Sequence, residues 1–393
     1  MKETDKEVIR KKLDLLNTIW VDYFFSYPYF ENKVKFTEEE KTNYVGVLFG
    51  YFRDSLDIVF SEPPKQFNSY VEKFSFQIAL LQSIYVQQDL TEELLRVFKT
   101  GIERNKLNED ENFSINRQIR NELIGHPISR DKNKNLISST VFGYEKSGNS
   151  IQYLKYEFPD EKNVVQIVEI NDVLERHNTF LNTYLDKLLN VSFPKLKNFK
   201  KEVLDVLNIL LSQSNNDNVI RFYEIHFSLK FERENEITLT ELKELPTKKL
   251  HLRYIHSFNI YIDYINDFCK DSIERIEKIL NEKFIQSTSD SSLESQLIFP
   301  KITFVESDNR DETNSFFKRK NYNYELGKLI SKRNLSDFDF YASSICDENA
   351  NDDTIIQEIE HLRKKLNNKM EYICGWNYLS YLLSNKLNKI TCI

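Results

Sequence analysis

Hydrophobic positions along this chain recur at helical spacing, then in alternation, then at helical spacing again. Val8, Ile9, Leu13, Leu16, Ile19, Trp20 and Phe24 share one face of a first predicted helix over residues 5–30, which Tyr27-Pro28 ends. Tyr44, Val45, Leu48, Phe52, Leu56 and Val59 predict a second over 38–60, stopped by Pro63-Pro64. Phe74, Ile78, Leu81, Ile84 and Tyr85 predict a third over 65–88. The polar run Gln87-Gln88-Asp89 reads as its end meeting water, and Thr91-Glu92-Glu93 as the cap of a short fourth helix to about residue 105. Three alternating stretches at 137–142, 150–158 and 164–170 follow, with turns at Gly148-Asn149 and Pro159-Asp160; they predict a small β-meander. Asn171-Asp172 then caps a helix over 173–189, whose apolar stripe includes His177, expected there as a satisfied, partly buried imidazole.

Pro194 and the basic run Lys195, Lys197, Lys200 and Lys201 mark a boundary. Beyond it lie a helix near 198–212, a strand at 219–231 and a long amphipathic helix over 247–285. Residues 286–316 are rich in Ser, Asp, Glu and Asn and read as a loop or linker, followed by helices at 322–332 and 354–388. The expected organisation is mainly α. Residues 1–191 form a helical domain with an inserted meander, 192–285 a second helical or α/β domain, 286–320 a polar linker and 321–393 a helical C-terminal region.

One stretch carries candidate chemistry: Ile119-Arg120-Asn121-Glu122-Leu123-Ile124-Gly125-His126-Pro127. Ile115, Ile119, Leu123 and Ile124 recur at helical spacing, so Arg120 and Asn121 ride the last turn of a helix. Gly125 is suited to the left-handed conformation that closes a helix, and Pro127 disfavours helical geometry at His126. An arginine and a histidine at a helix end can simply complement its dipole, for about 0.3–1 kcal/mol each. They also supply what RNA cleavage without a metal needs: a group titrating near neutrality to move protons, and a permanent planar cation to hold charge on the phosphorane. Asn121 is placed to orient the histidine or the substrate. Arg117, Arg130, Lys132 and Lys134 lie within a few residues of the motif, as a candidate basic patch for substrate or as a solvated basic loop, and Gln88 or Asp89 is a candidate to fold over the site.

Arg-Asn, four residues, then His-Pro resembles the R-x(4–6)-H signature of the HEPN superfamily. The spacing also fits Arg221 and His226, but those lie in an alternating stretch with Phe222 after the arginine. The resemblance covers the first half only. It implies an antiparallel helical bundle and a metal-independent endoribonuclease of toxin–antitoxin or phage-defence systems, acting as a homodimer on RNA with Arg120, Asn121 and His126 as catalytic residues. It further implies no cofactor, and a second half that senses, restrains or recruits, with an antitoxin or sensor as partner. The rival expectation is a non-catalytic HEPN-like interaction module.

Composition narrows the picture. A net charge of −7 argues against a general nucleic-acid coat, so RNA contact has to come from a local patch. Cys269, Cys346, Cys374 and Cys392 form no C-x-x-C pair and lack metal-ligand spacing with histidine, which predicts a reducing compartment and no structural zinc. The opening residues are charged, and no apolar run approaches the roughly 18 residues of a membrane helix, so a cytoplasmic protein without membrane contact is expected.

Overall fold

A computed structural model of the protein describes residues 3–35, 37, 43–61, 66–144, 149–158, 160–212, 244–245, 248, 251–282, 322–331 and 333–389. Within them the chain is mainly helical, with one four-stranded antiparallel sheet. The described residues divide into two compact units. The first holds those up to Asp205 and those at 272–282; the second holds those from Val206 to Asp271 and from 322 onward.

In the first unit α1 (Glu3–Ile19) buries Ile9, Leu13, Leu16 and Ile19 completely. It widens into a π turn at Trp20–Phe24, and Pro28 opens a short 3-10 turn at Pro28–Phe30. Helix α2 spans Tyr44–Val59 and packs on α3, Tyr70–Val97. A reciprocal cap starts α3: the Ser69 hydroxyl accepts the Glu72 amide N–H, while the Glu72 carboxylate accepts that of Asn68.

Helix α3 does not end at residue 88, and Thr91 caps nothing. Gln87, Gln88 and Thr91 are fully buried, so these groups face the interior, while Asp89 stays partly exposed. The Gln87 amide donates to the Ser55 hydroxyl of α2, the Gln88 amide donates to the Phe113 carbonyl, and the Thr91 hydroxyl donates to the Gln87 carbonyl. These bonds lower the cost of burying the run, since a polar group left unpaired costs about 1–3 kcal/mol, and Oε1 of Gln88 is the atom of the patch that stays without a partner among the described residues.

After α4 (Arg104–Asn108) and α5 (Glu111–Arg120) come strands β1 (Ile128–Arg130), β2 (Leu136–Phe142), β3 (Ser150–Glu157) and β4 (Lys162–Glu169). They pair antiparallel in sequence order, so the meander is present with one strand more than its alternation predicts. Phe142, Ile151 and Tyr153 on its inner face join Leu81, Ile84, Ile119, Leu123 and Val173 in one core.

Helix α6 runs unbroken over Ile170–Ser212, past the expected end at residue 189 and through Pro194. Proline removes one helical N–H and crowds the carbonyl four residues back, at Asn190. Pro194 and Asn190 are both exposed, so the interruption falls on the solvent side of the helix, where a lost helical hydrogen bond costs least. Helix α7 (Leu252–Asn281) follows the expected span.

In the second unit α8 (Asn323–Ser331), α9 (Leu335–Glu348), α10 (Asp353–Lys364) and α11 (Lys369–Lys389) pack around Leu329, Phe338, Ile345, Leu362, Tyr372 and Leu379. The expected single helix over 354–388 is thus two, and α9 is additional. Arg253 makes a two-pronged, buried pair with Glu358 at 3.0 and 2.7 Å. The strand reading at 219–231, with Arg221 and His226, and the linker reading at 286–316 lie outside the described residues.

Candidate functional site

Helix α5 is fastened at both ends. The Asp110 carboxylate accepts the Asn112 amide N–H at 2.9 Å to cap its start. Fully buried Asn116 donates to the Val173 carbonyl at 2.8 Å and accepts from Arg176 at 3.0 Å, tying α5 to α6. Past Arg120 the helix widens into a π turn, Asn121–Gly125, closed by the His126 N–H donating to the Asn121 carbonyl at 2.6 Å. His126 then leaves helical geometry, with φ −140° and ψ 64°, as Pro127 dictates.

Gly125 is not the left-handed closing residue expected of it; Gly101 holds the positive glycine φ among the described residues. Its role is space. A Cβ at Gly125 would lie 2.6 Å from Nη1 of Arg120 and 3.2 Å from Oδ1 of Asn121. The Arg120 guanidinium therefore lies against the very turn that delivers His126.

Three N–H groups of Arg120 are occupied within the unit. Nε and Nη2 donate to Oε1 of Gln82 at 3.2 and 3.0 Å, and Nη1 donates to Oδ1 of Asn121 at 3.1 Å. The guanidinium also lies 4.0 Å from the Tyr85 ring centre, and that of Arg117 lies 4.1 Å from the same ring. An arginine carries five N–H donors, so two of Arg120 remain unclaimed by the described residues. Asn121 joins the two motif residues, its side chain to Arg120 and its carbonyl to the His126 N–H. The His126 side chain is exposed, and its imidazole makes no hydrogen bond with the described residues.

Glu122, unmarked by sequence reasoning, fixes the turn to the sheet. Its carboxylate accepts from Gln118 and Tyr153 at 3.0 Å each and from Lys155 at 3.1 Å, while its carbonyl accepts the Thr140 hydroxyl. Burial alone pushes this carboxyl up, but the three donors and the Lys155 charge outweigh it and hold the group below its ordinary value. Its sheet partners lie 18 to 33 residues away in the chain, so nothing local signals the role.

The expected substrate patch is split. Arg130 and Lys132 are exposed on the β1–β2 hairpin just beyond His126, where Arg130 donates to the Lys134 carbonyl and Asp131 caps the turn by accepting from Asn133 and Asn135. Arg117 is instead buried, pairs with Asp89 at 2.6 Å and leaves Nη1 without a partner. A cleft of about 740 Å³ opens beside it, lined by Tyr85, Asp89, Lys35, Lys99 and Arg104 among others. Gln88 lies in the interior and offers no surface to a substrate. His177 is fully buried, with Nε2 at 2.7 Å from Oε1 of Gln87, and burial lowers its pKa to about 3.

Among the described residues no three His, Cys, Asp or Glu side chains are grouped to hold a metal, and no helix is long and apolar enough to cross a membrane. No family model matches the chain, and no curated protein or solved structure matches it.

Proposed function

We propose that this protein is a metal-independent endoribonuclease of the HEPN type, working as a homodimer in toxin or phage-defence biology. The observation that carries the reading is the pairing at the end of α5. A guanidinium held by Gln82, Tyr85 and Asn121, with two N–H groups to spare, lies against the turn that presents an unencumbered imidazole. In the proposed reaction His126 takes the proton of a ribose 2′-hydroxyl, the 2′-oxygen attacks phosphorus, and the bond to the 5′-oxygen breaks as that oxygen gains a proton. Arg120 holds the charge that builds on the non-bridging oxygens, and Arg130 and Lys132 on the adjacent hairpin steer the strand. The products are 2′,3′-cyclic phosphate and 5′-hydroxyl ends. One copy supplies one acid–base group where in-line cleavage uses two, so the second histidine comes from a second chain. The test is cleavage of an end-labelled RNA by the purified protein and by His126→Ala.

A non-catalytic interaction module is the second reading, favoured by how fully Arg120 is engaged within its own unit. In that case Arg120→Ala lowers thermal stability, and wild type leaves RNA intact.

A further inference from the structure

The outward face of the sheet is apolar and almost free of charge. Ile128, Ile137, Val141, Leu154, Val165 and Ile167 are 61, 45, 52, 37, 65 and 59% exposed. The register joins them into one surface: Leu154 lies directly between Val141 and Val165, and Ile128 pairs with Ser139 between Ile137 and Val141. The remaining outward positions of β2–β4 are small or polar, and the charges on the face stand at its margins, Glu169 at the very end of β4 and exposed Arg130 at the end of β1. In a chain with 29% charged residues, a sheet face that water alone covered would carry several.

We propose that this face is where a second copy of the chain docks, sheet against sheet across a two-fold axis. Three observations select that occupant. First, size: the six side chains leave on the order of 600 Å² of apolar surface open per copy. A pair would bury roughly 1,200 Å², the lower end of specific interfaces. Second, charge: a two-fold axis sets each face against itself, which a neutral face tolerates even though each chain carries a net charge of −7. A nucleic acid would find one cation, Arg130 at the β1 edge, and none among the outward positions of β2–β4. Third, continuity: Ile128 stands two residues beyond His126, so the rim of the interface carries the motif loop of each copy. This last point rests on the endoribonuclease reading, since it is there that a second histidine is required; the first two stand without it.

Sedimentation velocity of the full chain from about 1 to 100 µM is the test, a range that covers the weak association expected of an interface at the small end of the specific class. Wild type is expected to shift from monomer to dimer across the range. Leu154→Glu with Val165→Glu, which sets four carboxylates in the centre of the pair, should reduce the dimer at least tenfold while circular dichroism and melting stay those of a folded protein. Should that variant unfold, Leu154→Ser with Val165→Ser provides an independent measurement, because it removes apolar area without adding charge and should also weaken the dimer. A monomer throughout the range, or a dimer that survives the folded glutamate or serine variant unchanged, would overturn the proposal. A dimer that leaves RNA uncut would instead overturn the endoribonuclease reading and leave the interface standing.

Discussion

Gly125→Ala separates the candidate site from the stability of its scaffold. The new Cβ would lie 2.6 Å from Nη1 of Arg120, where carbon and nitrogen need about 3.5 Å, so the guanidinium moves by roughly 1 Å. Asn121 Oδ1 at 3.2 Å is crowded as well, and its hydrogen bond to Nη1 is the first to break. Losing that bond costs about 0.5–1.5 kcal/mol. Since Gly125 does not sit at positive φ, alanine also stiffens the unfolded chain, which contributes about 0.4–1 kcal/mol in the opposite direction. Folding stability should therefore change by less than about 1 kcal/mol. Catalysis should suffer far more, because a 1 Å misplacement of a charge donor costs about 10²-fold. Urea unfolding reads the first quantity and single-turnover cleavage of a labelled RNA the second. A variant that cuts RNA at the wild-type rate would refute the idea that Arg120 acts from its observed position.

Arg120→Lys should recover little of the activity lost in Arg120→Ala, about 10²-fold or more, because an ammonium cannot span Gln82 and a phosphate together; full rescue in the same cleavage assay would show that charge alone suffices. Gln82→Ala should lower turnover while KM changes little, and an effect confined to KM would mean that Gln82 touches substrate. Glu122→Gln should destabilise the protein near neutral pH. The Glu122 pKa lies lower in the folded than in the unfolded chain, so its contribution is full above the ordinary glutamate value and is lost as pH falls through the lower folded one. Wild-type and Glu122→Gln melting temperatures should thus converge in acid, and a constant gap would contradict this. His177 has its folded pKa depressed to about 3 from an ordinary 6.5, so unfolded chains bind the extra proton between those values and stability falls as pH drops through that window. His177→Gln should flatten that slope in pH-resolved denaturation, and an unchanged slope would locate the titration elsewhere.

Much of the fold is legible in the sequence because it is written locally. Alternation and turn residues give β2, β3 and β4 within a residue or two, and Pro28 and Pro127 mark real departures from helix. Where sequence reasoning fails, distant partners decide. Gln87 and Gln88 look like a wet helix end until Ser55, Phe113 and His177 are brought around them by folding. Pro194 looks like a stop, yet its side of α6 faces solvent, where the loss of one helical hydrogen bond is tolerated. At the site, Arg120, Asn121 and His126 are legible as a motif, whereas their supports are not. Gln82 and Tyr85 sit on a helix about 35 residues earlier, and a π turn leaves no compositional trace. Arg117 reads as one more cation of a basic patch, and only its pairing with Asp89 removes it to the interior.

Metal-independent cleavage through His126 is tested most directly by incubating the purified protein with an end-labelled RNA in excess EDTA, beside His126→Ala of equal fold and assembly. Wild type should cut in the chelator and leave products ending in 2′,3′-cyclic phosphate and 5′-hydroxyl, and the variant should not cut. RNA left whole by wild type, cleavage that returns only when a divalent ion is restored, or equal cleavage by His126→Ala would contradict the proposed chemistry.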